Sequence, residues 1–231
     1  PDAERSRYVS TLQMYQYQRW ANDRRSRRSF RDKRRFRQVF GDYLLNDAVE
    51  MVSPEQVQAW LDERRPQTIA AKDPLGQAGR GVEVATAERT AQGWVVDGQS
   101  LPEFVTECRA EGLTLLEEGL TQHPLLAELN PTSVNTVRVI TRLGPDGSLE
   151  IVAAILRVGA GGRMDNFAAG GVTCPLDVRT GAVSGPLRSK GFGGVDSFVH
   201  PVSGISLEAF LIPHWDDVLA VIREAARRVP Q

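Results

Sequence analysis

The chain has 231 residues, 41% hydrophobic and 25% charged, with a net charge of -1. That length makes one large domain or two small ones, and the near-neutral balance excludes polyanion binding through overall charge. No apolar run approaches the ~20 residues that span a bilayer, no signal-peptide segment opens the chain, and Cys108 and Cys174 are too few for a disulfide scaffold or a zinc site; no membrane insertion and a reduced, cytoplasmic setting are the expectations. A chain that opens at Pro1 without methionine is expected to have residues upstream.

Residues 4–40 are helical in pattern and strongly basic. From Arg19 to Arg37 there are nine arginines and one lysine, interleaved with Trp20, Phe30 and Phe36. Cations for phosphates and aromatics for bases would make a nucleic-acid binder. The preferred reading is a pair of amphipathic helices, with Phe30, Phe36 and Phe40 inward and the arginines solvated or paired with acidic neighbours. The acidic residues elsewhere balance the charge, so nucleic acid is not the expected partner. The basic region is instead a candidate dimer contact. Ser29 caps the segment that carries Lys33. Ser53-Pro-Glu-Gln56 starts a further helix, with Pro at its first position, and Pro66 ends it.

Thr68-Ile-Ala-Ala-Lys72 has a short buried-strand pattern that delivers a lysine at its end. A loop with Gly76, Gly79 and Gly81 follows, and Val82-Glu-Val-Ala85 is the return strand. Glycines let backbone N–H groups turn toward phosphate oxygens, and a lysine adds a point charge. The lysine precedes the glycines, so this is not a Walker A loop. A strand follows, so it is not a dinucleotide fingerprint. The same residues also fit a plain hairpin with a long turn. Trp94 to Gly98 is a strand and turn, and Leu101–Ala110 is a helix capped by Ser100. Leu113–Leu116 is a buried strand that delivers Glu117 and Glu118. Two carboxylates there need partners if buried; contacts to ligand hydroxyls or amines are one source, solvent another.

Asn130-Pro-Thr-Ser-Val-Asn-Thr-Val-Arg138 opens the most informative stretch. Two β-branched runs around Gly144-Pro-Asp-Gly147 read as an antiparallel hairpin. Its ends gather Asn135, Arg138, Arg157, Asp165 and Asn166 beside Gly170 and Gly171. Such a grouping suits an anionic ligand, and it also suits an ordinary hairpin with a charged face. Val172 to Val178 is a strand, residues 184–197 are a glycine-rich loop, and Asp216 to Val229 is an amphipathic helix.

In their order these parts resemble the ATP-grasp superfamily, and within it the sugar-transfer-associated ATP-grasp proteins. The likeness rests on the Asn130–Arg138 segment, Asp165-Asn166 followed by Gly170-Gly171, His200-Pro-Val-Ser-Gly204 and Ile212-Pro-His-Trp215, and it covers roughly residues 29 to 228. It implies an α+β fold, with two subdomains gripping ATP and an N-terminal helical region: basic helices over 1–50, a small subdomain over 51–120, and a C-terminal subdomain over 121–231 that lacks its last strands. It implies ATP and Mg²⁺ as cofactors. Lys72, with Lys33 behind it, would hold phosphates under the Gly76–Gly81 loop. Glu117, Glu118 and Leu120 would form the hinge that meets adenine and ribose, with Gly119 contributing backbone.

Arg138, Arg157 and Asn166 would serve phosphoryl transfer, and Asn135, Asp165, Gly170, Gly171 and His200 the substrate. A loop histidine bonded to backbone is the other reading of His200. The acidic residues near the site are Asp165, Asp177 and Glu150, too few for two hard metal sites; the family's metal ligands are expected beyond Gln231. The implied function is a carboxylate–amine ligase working through an acyl phosphate, in surface-polysaccharide or small-metabolite biosynthesis. Its partners would be a small carboxylate and an amine. The alternatives are a non-catalytic nucleotide-binding domain and a kinase-like phosphotransferase.

Overall fold

A computed structural model of the chain describes residues 10–23, 26–77, 81–167, 170–190 and 197–228. Helix α4 (Pro54–Arg64) begins where Ser53 Oγ accepts the Gln56 N–H at 3.3 Å, and ends at Arg65, whose φ of 50° reverses the chain. Helix α5 (Leu101–Ala110) is held by a capping box between Ser100 and Glu103. The two helices bury Trp60, Leu61, Phe104 and Val105 against Ile69, Ala71, Ala85, Val96 and Leu116. Each large apolar side chain enclosed there contributes about 1.5–3 kcal/mol.

Those last five residues lie on one face of a six-stranded antiparallel sheet. Its strands are β1 (Ala48–Glu50), β2 (Thr68–Lys72), β3 (Val82–Thr90), β4 (Gly93–Val96), β5 (Gln99–Ser100) and β6 (Leu115–Glu118), in the order β1-β6-β2-β3-β4-β5. The period-2 alternation of strands turns Ala70, Lys72, Val84 and Glu117 to the opposite face. Glu117 and Glu118 lie inside β6, paired with Ala70 and Ile69, rather than beyond its end.

A second, four-stranded antiparallel sheet has β7 (Thr136–Leu143), β8 (Leu149–Val158), β9 (Val172–Leu176) and β10 (Arg188–Ser189), in the order β10-β9-β8-β7. The β7–β8 turn closes through Gly144 N–H to Ser148 O at 2.7 Å, with Gly147 at φ +78°. Pairing steps from Ile140 with Ala153 to Thr141 with Ile151, so Val152 is the extra residue of a bulge. The core face carries Leu156, Val158, Val172 and Cys174, covered by helices α6 (Pro124–Leu129) and α7 (Trp215–Arg227) with Leu207 and Ile212.

The N-terminal segment holds α1 (Thr11–Ala21), α2 (Arg27–Arg31) and α3 (Lys33–Phe40). Phe30, Phe36 and Phe40 cluster with ring centroids 4.7–6.2 Å apart, and of the three only Phe40 is fully enclosed. The end of α3 meets the end of α7: Arg228 donates to Val39 O at 3.1 Å and pairs with Asp42 at 2.7 Å. No helix among the described residues is long and apolar enough to cross a membrane.

Candidate active site

The exposed face of the six-stranded sheet and the edge of the four-stranded one enclose a cavity of about 630 Å³. Thr68, Ala70, Lys72, Val84 and Glu117 line one wall. Thr136, Arg157, Asp165 and Asn166 line the other. Glu118 at the end of β6, with Gly119, Leu120 and Gln122 from the chain between β6 and α6, forms the back.

Lys72 Nζ lies 2.5 Å from Glu117 Oε2, and Arg37 approaches Glu117 Oε1 at 3.6 Å. One carboxylate between two cations leaves the cluster net positive and partly buried, a setting that favours an anion. Lys33 is directed elsewhere. Its Nζ donates to Asp73 O at 2.7 Å and Gly76 O at 2.6 Å, and its backbone N–H to Pro74 O. It thereby grips the turn that leaves β2. Burial lowers the Lys33 pKa; the charge of Asp73 opposes that, and the charge of Lys72 adds to it. Gly81 closes the loop's base: its carbonyl accepts the Asp73 N–H at 2.8 Å, at φ +64°, and a Cβ there would sit 2.8 Å from Asp73 Cβ. Gly79 lies outside the described residues.

At the back, Glu118 turns away from Lys72. Its carboxylate accepts the Asp47 N–H at 3.2 Å and pairs with Arg64 at 3.4 Å, while its carbonyl takes Asn46 Nδ2 at 2.9 Å. Gly119 donates its N–H to Thr68 O at 2.8 Å, and a Cβ on Gly119 would meet Thr68 Cβ at 2.8 Å. The strand ends therefore touch through backbone, and the next residue, Leu120, faces the cavity half-exposed.

On the opposite wall Thr136 and Arg157 are directly opposed across β7 and β8, so their side chains share the cavity face. Arg157 Nη2 lies 2.7 Å from Asp165 Oδ1, and Thr136 Oγ1 donates to Asp165 Oδ2. Arg138 is two residues along the same face and exposed, outside the lining of the cavity. Gly171 sets the turn behind Asp165: its N–H goes to Asn166 O at 3.0 Å, and a Cβ would lie 2.4 Å from Asp165 O. Gly170 supplies the φ of +99°.

Asn135 and His200 stand behind this wall. Asn135 Nδ2 donates to Leu126 O at 2.7 Å and Asn130 O at 3.2 Å, and its Oδ1 accepts the Gly159 N–H at 3.0 Å. His200 is fully buried. Its Nδ1 accepts the Ser203 N–H at 3.2 Å, so the proton is on Nε2, which donates to Gly159 O at 2.9 Å. The two side chains hold Gly159 by its two backbone groups, two residues beyond Arg157.

The structure thus brings Lys72, Glu117, Leu120, Arg157, Asp165 and Asn166 to one cavity, with Glu118 at its back. It places Lys33, Asn135, Gly170, Gly171 and His200 in its support. Residues not foreseen from the sequence include Arg37, Asn46, Gln122 and Thr136. Of these, Thr136 was recoverable, because alternation along β7 puts it on the same face as Arg138.

The cavity's size, lysine, hinge and arginine suit a nucleoside triphosphate. Its described carboxylates do not suit Mg²⁺: Glu117 and Asp165 are both committed to cations, and no group of three His, Cys, Asp or Glu among the described residues is arranged to hold a metal. The sequence profile of the sugar-transfer associated ATP-grasp family matches residues 12–231. No curated protein and no solved structure gives a match.

Proposed function

The chain belongs to the sugar-transfer associated ATP-grasp family, whose fold goes with ATP-dependent, ligase-type chemistry, and from that premise we propose that it joins a carboxylate to an amine through an acyl phosphate. The observation that carries this reading is the single cavity in which Lys72 on β2 faces Arg157 on β8. One wall supplies a phosphate-binding cation, the other a cation where the transferred phosphoryl group would sit. Positioning plus charge stabilisation is most of what such a transfer requires.

The triphosphate lies along Lys72, under the turn that Lys33 holds through the Asp73 and Gly76 carbonyls. Adenine lies against the Gly119–Leu120 backbone. The acceptor carboxylate attacks the terminal phosphorus, and the bond to the ADP oxygen breaks. Arg157, fixed by Asp165, stabilises charge on the phosphoryl oxygens. The amine then attacks the acyl carbon, phosphate leaves and the nitrogen loses its proton. Cys108 and Cys174 are free and buried, which accords with a reducing cytoplasm.

Hydroxylamine tests the sequence of steps. With ATP, Mg²⁺, a panel of carboxylates and hydroxylamine, ADP and an acyl hydroxamate are expected in equal amounts for the accepted carboxylate. Arg157→Gln is expected to lower both by about 10²–10³. ADP release with no hydroxamate from any carboxylate would contradict the acyl phosphate.

A further inference from the structure

The segment from Gly159 to Asp165 begins two residues after Arg157 and comes back to it, since Asp165 Oδ1 lies 2.7 Å from Arg157 Nη2. Several of its anchors belong to its own half of the molecule. Asn135 and His200 hold the two backbone groups of Gly159. Thr132 Oγ1 donates to Gly162 O at 3.0 Å, and Gly161 turns the chain at φ +88°.

Arg163, in the middle of this segment, reaches the other sheet. Its Nη1 donates to Val84 O on β3 and lies 3.6 Å from Asp97 Oδ2. Asp97 is built to meet it. It stands at φ +44° in the two-residue Asp97-Gly98 turn between β4 and β5. Its N–H donates to Thr86 O at 3.0 Å, and its Oδ1 accepts the Thr86 N–H at 2.9 Å, which leaves Oδ2 for Arg163. Val84 is two residues from Val82, the partner of Lys72 across β2 and β3. One side chain therefore ties the segment that fixes Arg157 to the strand beside the one that carries Lys72, and it lines the cavity with both.

The ion pair is largely exposed, so it adds little to the stability of either half. Its consequence is geometric. Each wall is shaped by its own hydrogen bonds, and what Arg163 adds is the distance from one wall to the other. Transfer between groups held on opposite walls is sensitive to that distance: a misplacement of about 1 Å costs on the order of a hundredfold in rate.

We propose that Arg163 is a positioning residue: by holding Val84 O and Asp97 it sets the separation of the two walls, so that Arg157 stands at the terminal phosphorus of a nucleotide bound along Lys72. Its effect on rate rests on the phosphoryl-transfer reading above; the tie between the walls does not.

The test measures the separation first. Spin labels on Glu88→Cys and Glu208→Cys, two exposed positions in different halves, report it in the whole chain by pulsed dipolar spectroscopy. Cys108 and Cys174 are buried, and burial pushes both thiols up to about 12, so the label goes to the introduced cysteines. Arg163→Gln should broaden the distance distribution or lengthen it. Asp97→Asn keeps an acceptor for the Thr86 N–H and should move it part of the way; the double variant should go no further than Arg163→Gln alone. In the hydroxamate assay Arg163→Gln should lower kcat for ADP release about 10–100-fold with KM for ATP within about twofold, and Arg163→Lys should recover part of it. Unfolding midpoints should match the parent's.

An unchanged distance distribution in Arg163→Gln would overturn the proposal, as would an unchanged kcat. A loss confined to KM for ATP would make Arg163 a nucleotide contact instead. A fall in kcat that tracks a lowered unfolding midpoint, with no recovery in Arg163→Lys, would make its role merely structural. A distance that responds to Arg163→Gln, in a parent that releases no ADP with any carboxylate, would overturn the phosphoryl-transfer reading alone.

Discussion

Asn135 spends its whole side chain inside the protein, between the carbonyls of Leu126 and Asn130 and the N–H of Gly159. Read in sequence it stands among the polar residues of a site; folded, it braces the strand that carries Arg157. Residue type was legible there and direction was not, because direction depends on which face of the chain meets α6. His200 poses the same problem and offers a test. Burial holds its pKa below the ordinary 6.5, while the bond to Gly159 O acts the other way. The unfolded chain therefore binds more protons below pH 6.5, and stability must fall as the pH drops from there through the folded pKa. Above pH 6.5 the slope from this group fades over about one pH unit. Denaturant unfolding between pH 8 and 5 should show that loss, and His200→Gln, which keeps a donor for Gly159 O, should flatten it. An unchanged slope in the variant would place the acid sensitivity elsewhere.

Among the elements, the β7–β8 hairpin was the most legible, since two β-branched runs around Gly144-Pro-Asp-Gly147 leave few other structures open. Helices α4 and α5 were marked at their starts by Ser-Pro and Ser-x-Pro segments, which act within one turn of chain. Strand β1 was not readable: three residues, Ala48–Glu50, show no alternation, and they form a strand because the edge of β6 offers them backbone partners. The junction of β6 and β2 is where an element-scale test bites. A Cβ on Gly119 would lie 2.8 Å from Thr68 Cβ and 2.9 Å from Thr68 O, and backbone cannot retreat as a flexible side chain can. Gly119→Ala should cost about 1–3 kcal/mol and weaken nucleotide-analogue binding by displacing Leu120. Gly41→Ala, with nothing within 4 Å of the new methyl group, should stay within about 0.5 kcal/mol of the parent. Equal midpoints for the two variants would refute the crowding argument.

At the scale of the molecule, two antiparallel sheets, each with helices on one face, turn toward a shared cavity. The family was legible in several short motifs in sequence, and the α+β class followed from that resemblance. That Lys72 and Arg157 meet across one space was not legible from either, because it depends on packing between sheets built from distant parts of the chain. The central claim is that this space holds ATP. Calorimetric titration of the intact chain with a non-hydrolysable ATP analogue, set against Lys72→Met, tests it most directly. Loss of a charge-assisted phosphate contact of about 1.5–3 kcal/mol predicts one site per chain in the parent and affinity weaker by about 10–100-fold in the variant. No heat in the parent, or equal affinity in the two proteins, would contradict it.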